Sequence, residues 1–245
     1  MIRRYNTIIL LKKRCNIIAS YQYSMRKIVV LSQKGGTGKT TIGLNIGIAA
    51  ELAGQSAAII DLDPQASITQ WGDSREADVP VVVSAQAARL PNILKTCEDN
   101  GAGVVVIDTA PHAEQSALAA ARAADIVIIP CRPSIVDLRA IGSTIDICRI
   151  ANTPCFVLLN QTPSRGSLAD DAAEALAELD VQIAPVQIGQ RIAYVHAVTK
   201  GQGVLEYEPN GKAAEEINTL YQFIQDQTGA SHDKGQAKQS RGSIA

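Results

Sequence analysis

Lys34-Gly35-Gly36-Thr37-Gly38-Lys39-Thr40-Thr41 follows the apolar run Lys27-Ile28-Val29-Val30-Leu31-Ser32. It precedes a stretch in which Ile42, Leu44, Ile46, Ile48, Ala49 and Leu52 stand among small residues, ending near Gly54. Buried strand, glycine-rich turn and helix in succession are the setting of a phosphate-binding loop. Gly35, Gly36 and Gly38 allow backbone N–H groups to turn inward without a Cβ in the way. Lys39 can reach the β- and γ-phosphates of a nucleotide, and the Thr40 hydroxyl can sit on Mg²⁺. The following helix presents its positive N-terminal end to the anion. The usual pattern, GxxxxGK[ST], would begin with a glycine at position 33. This chain has Gln33 there, followed by an additional cation, Lys34.

Two more apolar runs end in carboxylates. Ala57-Ala58-Ile59-Ile60 leads into Asp61-Leu62-Asp63-Pro64-Gln65, and Val104-Val105-Val106-Ile107 leads into Asp108-Thr109-Ala110-Pro111. Runs apolar at every position fit strands of a parallel sheet covered on both faces. In such α/β sheets ligands gather at the carboxyl ends of the strands, so all three aspartates are expected beside the loop. Asp108 suits the Walker B role of holding Mg²⁺ or one of its waters. Asp61 is expected near the metal shell, and Asp63, just past the strand end, is expected to orient the attacking water. The alternative for either is an ordinary helix cap or turn residue.

The remaining pattern continues the same α/β alternation. Val79 to Val83 and Ile126 to Pro130 read as strands, and the Ala-rich segment to about Asn100 and Ile135 to Ile150 as helices. Ser167 to Leu179 places Leu168, Ala172, Ala175, Leu176 and Leu179 at helical spacing. Val181 to Ile188 reads as the last strand, and Ile217, Leu220, Tyr221 and Ile224 as a final amphipathic helix. With 245 residues, 46% apolar and only 4% aromatic, the core must be built from Ala, Val, Ile and Leu. No stretch is long and apolar enough to span a bilayer. The five cysteines are odd in number with no CxxC pair, and read as free thiols of a reducing cytosol.

KGGTGKT, DLDPQ and VVVIDTAP, in this order and at these intervals, resemble the ParA/MinD branch of deviant-Walker ATPases, most closely the ParA-type partition ATPases. The resemblance covers about residues 26 to 226. It implies a SIMIBI-like P-loop NTPase fold, with a mostly parallel sheet flanked by helices on both faces, and ATP and Mg²⁺ as cofactors. It implies that Gly35, Gly36, Thr37, Gly38, Lys39, Thr40 and Thr41 bind phosphates. Thr40 would also bind Mg²⁺, Asp108 would be the Walker B acid, and Asp63 would be needed for hydrolysis. Lys34 would be the signature lysine that crosses a homodimer interface to the partner subunit's phosphates. A cation supplied in trans stabilises the charge of the transferring phosphoryl group and makes dimer formation depend on ATP. Asn160, ending the run Cys155 to Leu159, sits where members contact adenine; its other reading is a strand-end turn.

The resemblance further implies sequence-independent DNA binding, with Arg191 at a DNA-contacting position and Lys200 and Lys212 nearby. A solvated charged face is the alternative for all three. Five of the 23 Lys and Arg lie in residues 1 to 24, leaving 18 against 24 acids, or −6, for the rest. Any phosphate footprint must then be a local patch. The basic segment 1–24 looks foreign to a domain expected to begin at Met25; a DNA-binding arm or membrane-surface segment are the alternatives. Residues 25–227 are read as the ATPase domain, without an N-terminal helix-turn-helix domain, and 228–245 as a disordered tail with no membrane-binding face. The function so implied is an ATP-driven dimer that coats nucleoid DNA in a bacterial cytoplasm and segregates DNA. A ParB-like centromere-binding protein would reset it. The alternative is a positioning or scaffold ATPase of the same fold that recruits a protein complex.

Overall fold

The computed structural model describes residues 24–239, with side chains described through residue 229. The core of the fold is one parallel sheet. Its strands are β1 (Arg26–Val30), β2 (Ala57–Asp61), β3 (Val81–Ser84), β4 (Val104–Asp108), β5 (Ile126–Cys131), β6 (Cys155–Thr162), β7 (Gln182–Ile183) and β8 (Ile188–Gly189). They lie in the order β3-β2-β4-β1-β5-β6-β7, with β8 paired to the end of β6. Between them run α1 (Lys39–Leu52), α2 (Ser67–Ser74), α3 (Leu90–Asp99), α4 (Glu114–Ala123), α5 (Ile135–Ala151) and α6 (Leu168–Ala177). The chain then continues through α7 (Ile192–Thr199), α8 (Val204–Tyr207) and α9 (Lys212–Gln239).

Side chains alternate across the pleat, so each strand feeds two cores. Ile28 and Val30 of β1 pack with α1, α2, α7, α8 and α9, while Val29 and Leu31 pack with α3, α4, α5 and α6. All four are fully buried, which is why this run shows no polar alternation. Each such side chain contributes about 1.5–3 kcal/mol of transfer free energy. The small residues after the P-loop are equally explained. A Cβ at Gly47 would lie 2.8 Å from Ile59 Cδ1, so the absence of a side chain lets α1 lie close on β2.

Three expectations need correction. The single last strand is two short ones, β7 and β8, because Pro185 and the irregular register at Asn160 and Thr162 interrupt the pairing with β6. In α6 only Ala172 and Leu176 are buried, and Leu168 lies exposed at its first turn. The final helix continues past Gln227, where composition predicts disorder, to Gln239. The basic segment 1–24 lies, apart from Ser24, outside the described residues, as do residues 240–245.

Candidate nucleotide site

Strand order makes the site. With β4 between β2 and β1, the ladder sets Asp108 opposite Asp61 on one side and Val30 on the other. Val30 runs directly into the glycine-rich turn, so loop and carboxylates meet at one edge. Gly38 is the residue before α1, with φ 94° and ψ 19°, and a Cβ there would fall 2.2 Å from Asn160 Nδ2. Both facts require glycine. The start of α1 carries no side-chain cap and no acidic residue in its first turn, leaving its N–H groups to an anion.

Lys39 is buried, and burial holds its pKa below the ordinary lysine value although Asp108 and Asp63 pull it upward. Its Nζ donates to Lys34 O at 3.4 Å. Thr40 Oγ1 donates to Asp108 Oδ2 at 2.7 Å, and Asp108 Oδ1 is buried with no hydrogen-bond partner. Burial pushes the Asp108 carboxyl up to about 7, with the nearby Asp61 and Asp63 charges adding to the rise and Thr40 and Lys39 opposing it. A buried carboxylate oxygen without a partner is costly unless a cation takes it. A divalent ion held by Thr40 and Asp108 fits this donor set. Among the described residues no group of three His, Cys, Asp or Glu could hold a metal alone. Mg²⁺ is bound through one or two protein oxygens together with substrate phosphates.

Asp61 lies opposite Asp108 on the neighbouring strand, with both carboxylate oxygens engaged by the protein. Its Oδ1 accepts from Asp63 N at 3.0 Å, and its Oδ2 accepts from Thr69 N at 3.0 Å and Thr69 Oγ1 at 2.7 Å. Both oxygens shape the loop and the start of α2, so Asp61 acts as a structural acceptor beside the metal position. Asp63 is half-buried, close enough to Lys39 to affect its titration, and its Oδ1 accepts from Gln65 N at 2.9 Å. Asn160 does reach the loop: its Nδ2 donates to Thr37 O at 2.7 Å. Gln161, at φ 56°, adds a longer contact from Nε2 to Gly36 O at 3.4 Å. Asn160 therefore clamps the phosphate loop in this structure.

Lys34 Nζ forms an ion pair at 3.1 Å with Asp137 Oδ1 in the first turn of α5. Asp137, 2% exposed at its side chain, also accepts from Ser134 Oγ and pairs with Arg132 Nη2 at 3.3 Å. Burial alone would raise its pKa, but Ser134, Lys34 and Arg132 together hold it below the usual carboxylate value. Gln33 fastens the other side of the loop: its N–H donates to Thr144 Oγ1 at 3.1 Å, and its C=O accepts from His112 N at 3.2 Å. Asp137, Arg132 and Thr69 are not legible as site residues in the sequence. Ser134-x-x-Asp137 reads only as a helix-start pattern.

The three basic residues named for DNA lie on different elements, at the two ends of α7 and the start of α9. Arg191 Nε donates to Glu216 at 3.1 and 3.2 Å, and its guanidinium is held in a two-point ion pair. Lys200 stands at the far end of α7, about 12 Å along an eight-residue helix, with its Nζ 4.9 Å above the Tyr207 ring. Lys212 is exposed at the start of α9.

Parallel sheet, glycine-rich loop, buried lysine and threonine–aspartate pair define a P-loop nucleotide-binding protein. The family model described as CobQ/CobB/MinD/ParA nucleotide binding domain matches residues 28–204. The "Maintenance of carboxysome distribution protein A" of Halothiobacillus neapolitanus is 31% identical over 204 residues, 79% of this chain and 93% of that protein. "Protein ParA" of Rhizobium radiobacter is 31% identical over 115 residues, 46% of this chain and 51% of that one. The solved structure of the septum site-determining protein MinD with Mg-ADP from Pyrococcus horikoshii superposes with a TM-score of 0.69 at 18% identity. That match covers 82% of this chain and 96% of MinD. The chain belongs to the CobQ/CobB/MinD/ParA family of nucleotide-binding domains, and it is a P-loop ATPase of the ParA/MinD kind.

Proposed function

We propose that this chain is a positioning ATPase: an ATP·Mg²⁺-dependent homodimer that binds DNA without sequence preference and distributes a protein assembly. The observation that carries this reading is its similarity, along nearly the whole of the relative, to a carboxysome-distribution protein. Lys39 and the loop amides would hold the phosphates, and Thr40 and Asp108 the Mg²⁺. The metal would neutralise charge on the phosphates, while Asp63 would orient water. Lys34 is the dimer switch. In the single chain its ammonium is paired in cis with Asp137, and reaching a partner's phosphates requires that it exchange. Arg132 and Ser134 remain on Asp137 after the exchange, so the carboxylate is not left buried and unpaired. Ile135 and Val136, 66% and 62% exposed beside Asp137, offer apolar surface that a second copy would cover. The ATPase unit would run from residue 25 into the final helix.

DNA segregation with a ParB-like partner is the second reading, favoured by the similarity to ParA over about half the chain. Nucleoid association follows from either reading. The test is binding of the purified chain to random duplex DNA with ATP, ADP or no nucleotide, beside Lys34→Ala and Asp63→Ala. ATP-only binding that Lys34→Ala abolishes and Asp63→Ala prolongs is expected. ATP-dependent dimers that ignore DNA at modest salt would sink the DNA part of the reading. Loss of patterned protein foci on gene deletion, with plasmid inheritance unchanged, separates positioning from partition.

A further inference from the structure

The turn joining α7 to α8 is wedged between the two helices that start at the nucleotide site. Gly201 has φ +66°, and a Cβ there would lie 2.9 Å from Ser74 O at the end of α2. A Cβ on Gly203 would lie 2.4 Å from Ile48 Cδ1 and 2.7 Å from Asn45 Oδ1 on α1. Buried and part-buried polar contacts lock the turn on both sides. From α1, Asn45 Oδ1 accepts from Val204 N at 2.9 Å, while Asn45 Nδ2 donates to Thr41 O at 2.8 Å. From α2, Trp71 Nε1 donates to Gln202 O at 3.2 Å. Arg75, just past α2 and 2% exposed at its side chain, donates to Gly201 O at 2.8 Å and to Val79 O at 2.8 Å. It also grips Glu206 through two bonds of 3.0 and 2.7 Å and lies 4.5 Å above the Trp71 ring.

At its other end α2 is held by Asp61, whose carboxylate binds Thr69 and the amide of Asp63 together. A γ-phosphate that moves Asp63 therefore acts on the carboxylate that anchors α2. An eight-residue helix is a short rigid rod, so displacement at Thr69 reaches Trp71 and Arg75. An ion pair with one buried and one partly exposed partner is a poor means of adding stability. This one joins residues 131 apart in sequence, a helix leaving the nucleotide loop and a turn leaving α7.

We propose that the Gly201–Glu206 turn is a nucleotide-state relay. It transmits repositioning of the Asp61–Asp63 loop through α2 to α7, which exposes Ile192 and Val195 and is preceded directly by Arg191. The relay rests on the reading of Asp63 as the residue that meets the γ-phosphate, and it deepens that reading by naming how the state of the site reaches a distant surface.

Trp71 is the single tryptophan of the chain, so its emission reports the junction directly. The full chain is titrated with ATP·Mg²⁺, ADP·Mg²⁺ and Mg²⁺ alone, with nucleotide binding followed separately by calorimetry. An emission change specific to ATP is expected. Thr69→Val, which deletes the hydroxyl held by Asp61, should still bind ATP yet lose most of that change. Glu206→Gln, verified as folded by circular dichroism, should lose it as well. ATP binding without an emission change, or the full change in Thr69→Val, overturns the relay. Absence of ATP binding in calorimetry overturns the nucleotide reading itself, and with it the relay.

Discussion

Replacing Asp108 by Asn should stabilise the nucleotide-free protein while removing its response to Mg²⁺ and nucleotide. The folded chain pushes this carboxyl from an ordinary value of 3.8 up to about 7, chiefly through burial. As pH rises through that window the unfolded chain releases a proton that the folded chain keeps. Ionising Asp108 therefore makes folding progressively less favourable from about pH 4 to pH 7. Three pKa units at 1.36 kcal/mol each amount to about 4 kcal/mol at pH 8. Asn has the same shape, stays neutral and can still accept from Thr40. In urea unfolding of the nucleotide-free chain, Asp108→Asn should match wild type below about pH 4, where the carboxyl is protonated in both states. At pH 8 its midpoint should lie higher by about 2 M, taking an m-value of about 2 kcal/mol/M. Mg²⁺ with nucleotide should raise the wild-type midpoint at pH 8 by mass action and leave the variant unmoved. Parallel pH dependence in the two proteins would refute the assignment of Asp108 as a buried carboxyl waiting for a cation.

Gly38→Ala should lose nucleotide binding in calorimetry, because a side chain at φ 94° is strained and its Cβ would strike Asn160; retained affinity would contradict the loop geometry. Asp137→Asn should release Lys34 and favour the ATP dimer about fivefold in sedimentation, the equivalent of about 1 kcal/mol for a partly exposed pair. A weaker dimer would instead make Asp137 a support for the trans contact. Glu216→Gln should free Arg191 for phosphate, tightening ATP-dependent DNA binding and steepening its salt slope by about 0.9. An unchanged slope would remove Arg191 from the DNA surface.

Much of the site was legible because its chemistry is local. The glycine-rich turn, Lys39 and Thr40 lie within one octet, and a strand that is apolar at every position can only lead into its carboxylate at the ligand edge of a parallel sheet. The basic residues were less legible. A cation in a sequence does not reveal its acid: Arg191 is paired with Glu216, and Lys34 with Asp137, across 25 and 103 positions. The final helix was under-read because a Gly-, Ser- and Lys-rich composition carries a weak helical signal.

From the sequence alone came the parallel α/β class, the phosphate loop and the aspartates that face it, since period, glycine placement and residue type act over a few neighbours. Only the tertiary structure decided what each charge does. Strand order placed β4 between β2 and β1 and so set Asp108 beside Asp61. Packing made Asp61 the anchor of α2 as well as a neighbour of Asp108, gave Lys34 a resting partner on α5, and pressed the Gly201–Glu206 turn against both nucleotide helices. These are contacts between elements far apart in the chain, and they depend on distance and burial that no local pattern encodes.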